Sequence, residues 1–240
     1  MTTGVHRASW LALVLVVPGA IAALAYWLPQ RTLAAELMRV DPAALLQDQR
    51  LVNFALEVAR PQFAAHCAAC HGTQGQGNQP RGVPSLIDSE WLYGRELVGL
   101  EQIVLYGIRS GHPKARNLTD MPALGRTGQI SPGDINDVVE YLLQLDGRGV
   151  DAGAAARGRL IYFGRGVCYD CHSNDARGVV DYGTPALDGS GWIYGGDRNT
   201  LYTSIFNGRH GRCPAWWKVL SPVQARSMAV LLHEGVARRG

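Results

Sequence analysis

The strongest constraint in this 240-residue chain is a motif that occurs twice. Cys-x-x-Cys-His stands at Cys67-Ala68-Ala69-Cys70-His71 and returns 101 residues later at Cys168-Tyr169-Asp170-Cys171-His172. At the same offset Trp91-Leu92-Tyr93-Gly94 recurs as Trp192-Ile193-Tyr194-Gly195. Met121-Pro122-Ala123-Leu124 is then echoed 92 residues on by Cys213-Pro214-Ala215-Trp216, and Ser131-Pro132 is echoed 90 residues on by Ser221-Pro222. Four echoes in one order identify an internal duplication. The shrinking offset places about nine extra residues in the first copy, around His112 to Asp120.

Each copy reads as helix, loops, helix. Leu51, Phe54, Ala55, Val58 and Phe63 fall at helical spacing and lead into the first cysteine motif, with Pro61 predicting a kink or a late helix start. The closing helices carry clearer signals. Ser131 is an N-cap with Pro132 at the first helical position, and Ile135, Val138, Val139, Leu142 and Leu143 form one stripe. Ser221-Pro222 repeats the device ahead of Met228, Leu231 and Leu232. Between these helices the chain is irregular and glycine-rich, so each ~90-residue unit needs an added core to wrap around.

Cys-x-x-Cys-His is the attachment signature of a c-type haem: two thiols on one turn add to the porphyrin vinyl groups, and the adjacent His becomes the proximal iron ligand. Structural zinc brings its cysteine pairs ~15–20 residues apart, and a redox dithiol expects a βαβ setting; neither fits here. Two covalent c-type haems are therefore expected, on Cys67, Cys70 and His71 and on Cys168, Cys171 and His172. Such a chain moves electrons and does no bond chemistry of its own.

A sixth iron ligand is expected farther along each copy. Met121 precedes the closing helix of the first, where a thioether suits electron transfer; His112 is expected at the surface. The second copy has Cys213 at the matching place, with His210 or an open iron position as alternatives. A thiolate there lowers the potential of the second haem relative to His/Met ligation. His66 and His233 are expected to be structural or exposed.

Ser9 to Leu28 carries no charge, and twenty apolar residues at 1.5 Å rise match the ~30 Å bilayer core. Trp10, Tyr26 and Trp27 lie near its ends. The competing reading is a signal peptide cut after Ala23-Leu24-Ala25. Either one exports the rest of the chain. The first 150 residues hold 12 basic and 13 acidic groups and the remainder 11 and 7. That balance has no dense basic stripe and excludes nucleic-acid binding.

Taken together, FAAHCAACHG (residues 63–72), Trp91-Leu92-Tyr93-Gly94, Met121-Pro122-Ala123, WIYGGD (192–197) and RHGRCPAW (209–216) resemble the membrane-anchored dihaem cytochrome c subunit of cbb-type haem–copper oxidases, over roughly residues 40–235. The resemblance implies an all-α chain: one N-terminal transmembrane helix (9–28) after a cytoplasmic stretch (1–8), a linker (29–50), and two tandem class I cytochrome c domains (51–148 and 153–238). It implies a single-pass protein of a bacterial inner membrane with its haem domains in the periplasm. Its implied donor is a cytochrome bc complex or a soluble cytochrome c, and its implied partners are the monohaem and catalytic subunits of the oxidase. Cys67, Cys70, His71 and Met121 would serve haem one, and Cys168, Cys171 and His172 haem two. The sequence departs from that pattern in three places. Cys213 stands where Met is expected, Ser173 replaces the Gly after the motif with one extra residue before Cys168, and a Trp-rich lead-in is missing. Competing functions are an anchored dihaem cytochrome serving another dehydrogenase or reductase, and a haem-based sensor or sulfur-compound enzyme.

Overall fold

A computed structural model describes residues 25, 27–88, 91–117 and 120–237. The fold is helical, and the described residues contain no β-strand, only isolated bridges. A first helix, α1, covers residues 27–39. It is followed by α2 (Pro42–Leu45), α3 (Gln49–His66), α4 (Ala68–His71) and α5 (Leu97–Tyr106). The chain continues through α6 (Pro132–Leu145), α7 (Ala152–Phe163), α8 (Tyr169–His172), α9 (Arg198–Asn207) and α10 (Pro222–Glu234). The expected membrane span, 9–28, lies almost wholly outside the described residues, and among those no helix is long and apolar enough to cross a membrane.

The closing helices form as their caps dictate. Ser131 and Asp134 make a reciprocal capping box on α6, and Ser221 and Gln224 make one on α10. Pro61 neither delays nor ends α3, which is continuous from Gln49. The carbonyl that Pro61 leaves without its helical donor belongs to Glu57, and both residues lie on the exposed face, open to solvent.

The packing of those helices departs from a simple tandem. One core joins α3 and α5 to α10, through Leu51, Phe54, Phe63 and Leu100 against Met228 and Leu231. The other joins α7 and α9 to α6, through Ile161, Tyr162 and Leu201 against Ile135, Val138 and Leu142. Each repeat's closing helix thus completes the core of the other repeat. The physical cause is the short connection at residues 146–151, which folds α6 back onto α7. Gly158 lets the two backbones touch: a Cβ there would lie 1.9 Å from the Asp137 carbonyl oxygen. With α6 committed to α7, the groove on α3 and α5 is left for α10.

Ion pairs fix the same exchange. Arg198 on α9 pairs with Glu140, a buried carboxylate of α6 that also accepts from the amides of Val150 and Asp151. Arg226 on α10 reaches Glu101 on α5 at 2.9 Å. The stretch expected as a linker, 29–50, is instead structured: Leu37 and Leu45 are fully buried in the first core. Their apolar side chains alternate with Glu36, Arg39 and Asp41, an amphipathic pattern that gives the segment a face to bury.

Candidate functional site

Both cysteine motifs sit on short helical turns, α4 and α8, just after the helices that open each core. In each, the histidine ring is fixed the same way. His71 Nδ1 lies 3.0 Å from the Pro84 carbonyl oxygen, and His172 Nδ1 lies 3.0 Å from that of Pro185, thirteen residues on in both cases. The carbonyl demands a donor, so Nδ1 carries the proton and Nε2 presents a free lone pair. Burial holds both imidazoles below their usual pKa, against the pull of the carbonyls, and keeps them neutral. A neutral imidazole oriented by a second partner is the form that binds iron.

The thiols fit the same group. Burial pushes Cys67, Cys168 and Cys213 up to about 11, and raises Cys171 as well. A redox dithiol needs the opposite shift, toward thiolate. All five cysteines are free of disulfides. Among the described residues no His, Cys, Asp and Glu cluster is tight enough to hold a bare metal ion, whereas a porphyrin spreads its partners over a wider site. The donor set fits haem.

The two histidine anchors border one space. Pro84 and Pro185, which anchor the histidines, line a common cleft of about 420 Å³ together with Trp91 and Trp192. Gln79 donates across it to the Trp192 carbonyl at 2.8 Å. The repeats also interlock through their matched tyrosines. Tyr194 packs on Gly82 and Tyr93 on Gly183, so closely that a Cβ at either glycine would lie about 2 Å from the ring.

The expected sixth ligands are found in exchanged positions. Met121 exchanges backbone hydrogen bonds with Arg209 at 3.2 Å, and its side chain packs against the second core, as does that of Cys168. Cys213 exchanges them with Ile108 at 2.9 and 3.0 Å. It lies near enough to the first motif that it adds to the upward shift of Cys67, and that Cys70 adds to its own, both after burial. Ile108 and Arg209 are themselves repeat-matched, 101 residues apart, so Cys213 holds toward the first motif the place that Met121 holds toward the second. The order of residues along the sequence pairs Met121 with the first motif and Cys213 with the second, whereas the backbone pairings set Met121 against the second repeat's Arg209 and Cys213 against the first repeat's Ile108. The cause is the exchange of α6 and α10, because each sulfur lies about ten residues before the helix that crosses.

The histidine competitors are occupied elsewhere. His210 faces Asp120 at 3.3 Å and is 57% exposed. His112 is not a free surface residue: its ring stacks on Tyr106 and meets Trp217. His66 packs on Trp216, and His233 bonds the Arg95 carbonyl from an exposed position. The departures from the family pattern also have visible counterparts. Ser173 adopts φ 65° and ψ 169°, a region suited to glycine, where its match Gly72 has φ 80° and ψ 157°. The extra residue before Cys168 is absorbed after α7 ends at Phe163, with Val167 at φ 50°.

The cytochrome c family model matches residues 59–146. The chain is 38% identical over 203 residues to the cbb3-type cytochrome c oxidase subunit FixP of Bradyrhizobium sp. (strain ORS 278), covering 83% of this chain and 67% of the relative. It is 37% identical over 194 residues to subunit CcoP of Azospirillum sp. (strain B510), covering 78% and 64%. It is 34% identical over 202 residues to CcoP of Cereibacter sphaeroides, covering 84% and 68%. The chain thus spans about two thirds of the length of these relatives.

Proposed function

Since the chain belongs to the CcoP/FixP family of cbb3-type cytochrome c oxidase subunits, we propose that it relays single electrons through two c-type haems to the catalytic core of such an oxidase. Haem, when bound, supplies a one-electron iron couple. The protein's own residues attach, orient and tune it. Cys67 and Cys70 hold one porphyrin by thioether bonds and Cys168 and Cys171 the other. His71 and His172 present Nε2 as proximal ligands. Cys213 would supply the further iron ligand at the first site and Met121 at the second. Residues 9–28 anchor the chain in a bacterial inner membrane, and the two haem units, from repeats 51–148 and 153–238, stand in the periplasm. A bc complex or soluble cytochrome c is the donor, and the monohaem subunit of the oxidase is the acceptor.

The observation that carries this reading is the matched pair of histidine anchors, with the same carbonyl partner, spacing and distance in both copies. Pro84 and Pro185 line one cleft, which favours direct transfer between the two cofactors. The test is a pyridine haemochromogen assay on the membrane-purified chain, with peptide mapping of the attached haem. Two haems per polypeptide, on the two cysteine pairs, and co-purification with a haem–copper core are expected. One haem, or a full complement with no oxidase partner, contradicts the reading.

A further inference from the structure

Two half-buried guanidinium groups at the junction of the repeats meet no carboxylate. Arg116 and Arg209 make no ion pair among the described residues. Other sheltered arginines of this chain are paired: Arg226, 18% exposed, with Glu101, and Arg109, 23% exposed, with Asp120. Arg116 Nε is buried and has no hydrogen-bond partner among the described residues. Arg209 donates Nε to Ser204 Oγ at 2.9 Å, a neutral acceptor that leaves its charge uncompensated. A sheltered cation of this kind is costly unless an anion joins it.

Their surroundings indicate which anion. Arg116 lies over the ring of Tyr93 at 4.9 Å and Arg209 over that of Tyr194 at 4.0 Å. These are the repeat-matched tyrosines that interlock the two copies. Both arginines also stand beside a sixth-ligand sulfur. Ile108 bridges Arg116 on one side and Cys213 on the other, and Arg209 is the bridge partner of Met121. The two reach these places by different routes. Arg209 matches Ile108 in the repeat, while Arg116 comes from the stretch where the first copy has its extra residues. The same cation-on-tyrosine arrangement built from unmatched positions is not a relic of duplication. It marks a chemical requirement of each site, and the porphyrin brings the matching group, because each haem carries two propionate carboxylates.

We propose that Arg116 and Arg209 are the carboxylate receptors of the two haems, Arg116 for a propionate of the first and Arg209 for a propionate of the second. This rests on the two-haem reading above. A planar guanidinium already stacked on an aromatic face is preorganised to take a carboxylate through its N–H fork. In so doing it places a positive charge at the haem edge, which favours the reduced iron.

The test uses the full-length haem-loaded chain and its Arg116→Gln, Arg209→Gln, Arg116→Lys and Arg209→Lys variants. Each is assayed for haem content and titrated optically against potential at several pH values between 6 and 8.5, the window that exposes a released propionate. Each Gln variant is expected to shift one haem, a different one in each case, about tenfold toward its oxidised form, or ~59 mV. That haem should also gain a pH-dependent midpoint. The Lys variants keep the charge and should stay within threefold of the parent. Unchanged midpoints in both Gln variants overturn the proposal. So do Lys variants that shift as far as Gln, which would reduce the arginines to packing on tyrosine. If a Gln variant loses haem, the Lys variant decides: two haems with parental midpoints support the proposal, and the same loss overturns it. A parent chain with fewer than two haems breaks the two-haem reading instead.

Discussion

The two cofactor sites are built from one duplicated plan, yet they differ at three points along the chain. At the first, α3 runs straight to the motif, Gly72 takes the turn after it, and the facing sulfur is the thiol of Cys213. At the second, α7 stops early, Ser173 takes the same turn under strain, and the facing sulfur is the thioether of Met121. The histidine anchors are identical. On the two-haem reading proposed above, duplication has kept what attaches the cofactor and changed what sets its potential. A thiolate donates more strongly to ferric iron than a thioether and lowers its potential. On the ligand assignment proposed above, the low-potential haem belongs to the first motif, whereas the order of residues in the sequence would put it on the second.

The largest expected effect follows from that difference. Cys213→Met makes the two sites alike, and the midpoint of one haem should rise by roughly 0.3 V, about five powers of ten or ~7 kcal/mol in a one-electron couple. Redox titration of the purified variant measures it, and two unchanged midpoints would show that Cys213 is no ligand. Next comes the exchange itself. Gly158→Leu forces a side chain into the backbone of α6 and should cost about 3 kcal/mol or more in thermal or denaturant unfolding. A loss below about 1 kcal/mol would mean that α6 does not lie on α7.

Glu140→Gln leaves Arg198 without its charge partner and should cost about 2 kcal/mol at neutral pH, less than a fully buried pair because Arg198 is 43% exposed. Burial raises the Glu140 carboxyl, but the Arg198 hydrogen bond and the amides of Val150 and Asp151 outweigh it and hold the pKa below the usual 4.5. A depressed folded-state pKa contributes stability above the unfolded value, and that contribution is lost as pH falls through the folded one. The gap between parent and variant should therefore be full above about pH 5 and close in acid below 4.5; a gap independent of pH would contradict the pairing. The smallest effect is a gain. Ser173→Gly relieves the unfavourable backbone and should stabilise the second site by about 1 kcal/mol, net of the Ser173 hydroxyl contact with Asp175. The same measurement on Gly72→Ser should show a loss of similar size.

What was legible in the sequence was local. The motifs, the duplicated Ser-Pro caps and the apolar stripes of α6 and α10 each depend on neighbours a few residues away. Which core each closing helix joins depends on contacts far apart in sequence. Identical repeats give such a helix two equivalent grooves and no local reason to choose. The deciding signals were present but small: the short connection at 146–151 and a glycine, Gly158, in the middle of a helix. Which sulfur stands near which motif depends on the same long-range contacts, since it follows the helix exchange. Arg116 and Arg209 were invisible because they are not matched in the repeat. Only their shared placement on Tyr93 and Tyr194 relates them.

The exchange of sulfur ligands is tested most directly in two single-haem proteins, one with Cys168→Ala and Cys171→Ala and one with Cys67→Ala and Cys70→Ala, each with and without Met121→Leu. Optical and EPR spectra of the oxidised forms read the axial ligand of the one haem that remains. Met121→Leu should abolish the thioether–iron charge-transfer band and shift the low-spin signal only in the protein that keeps Cys168 and Cys171. Loss of that band in the protein that keeps Cys67 and Cys70 would contradict the exchange and restore the ligand order read along the sequence.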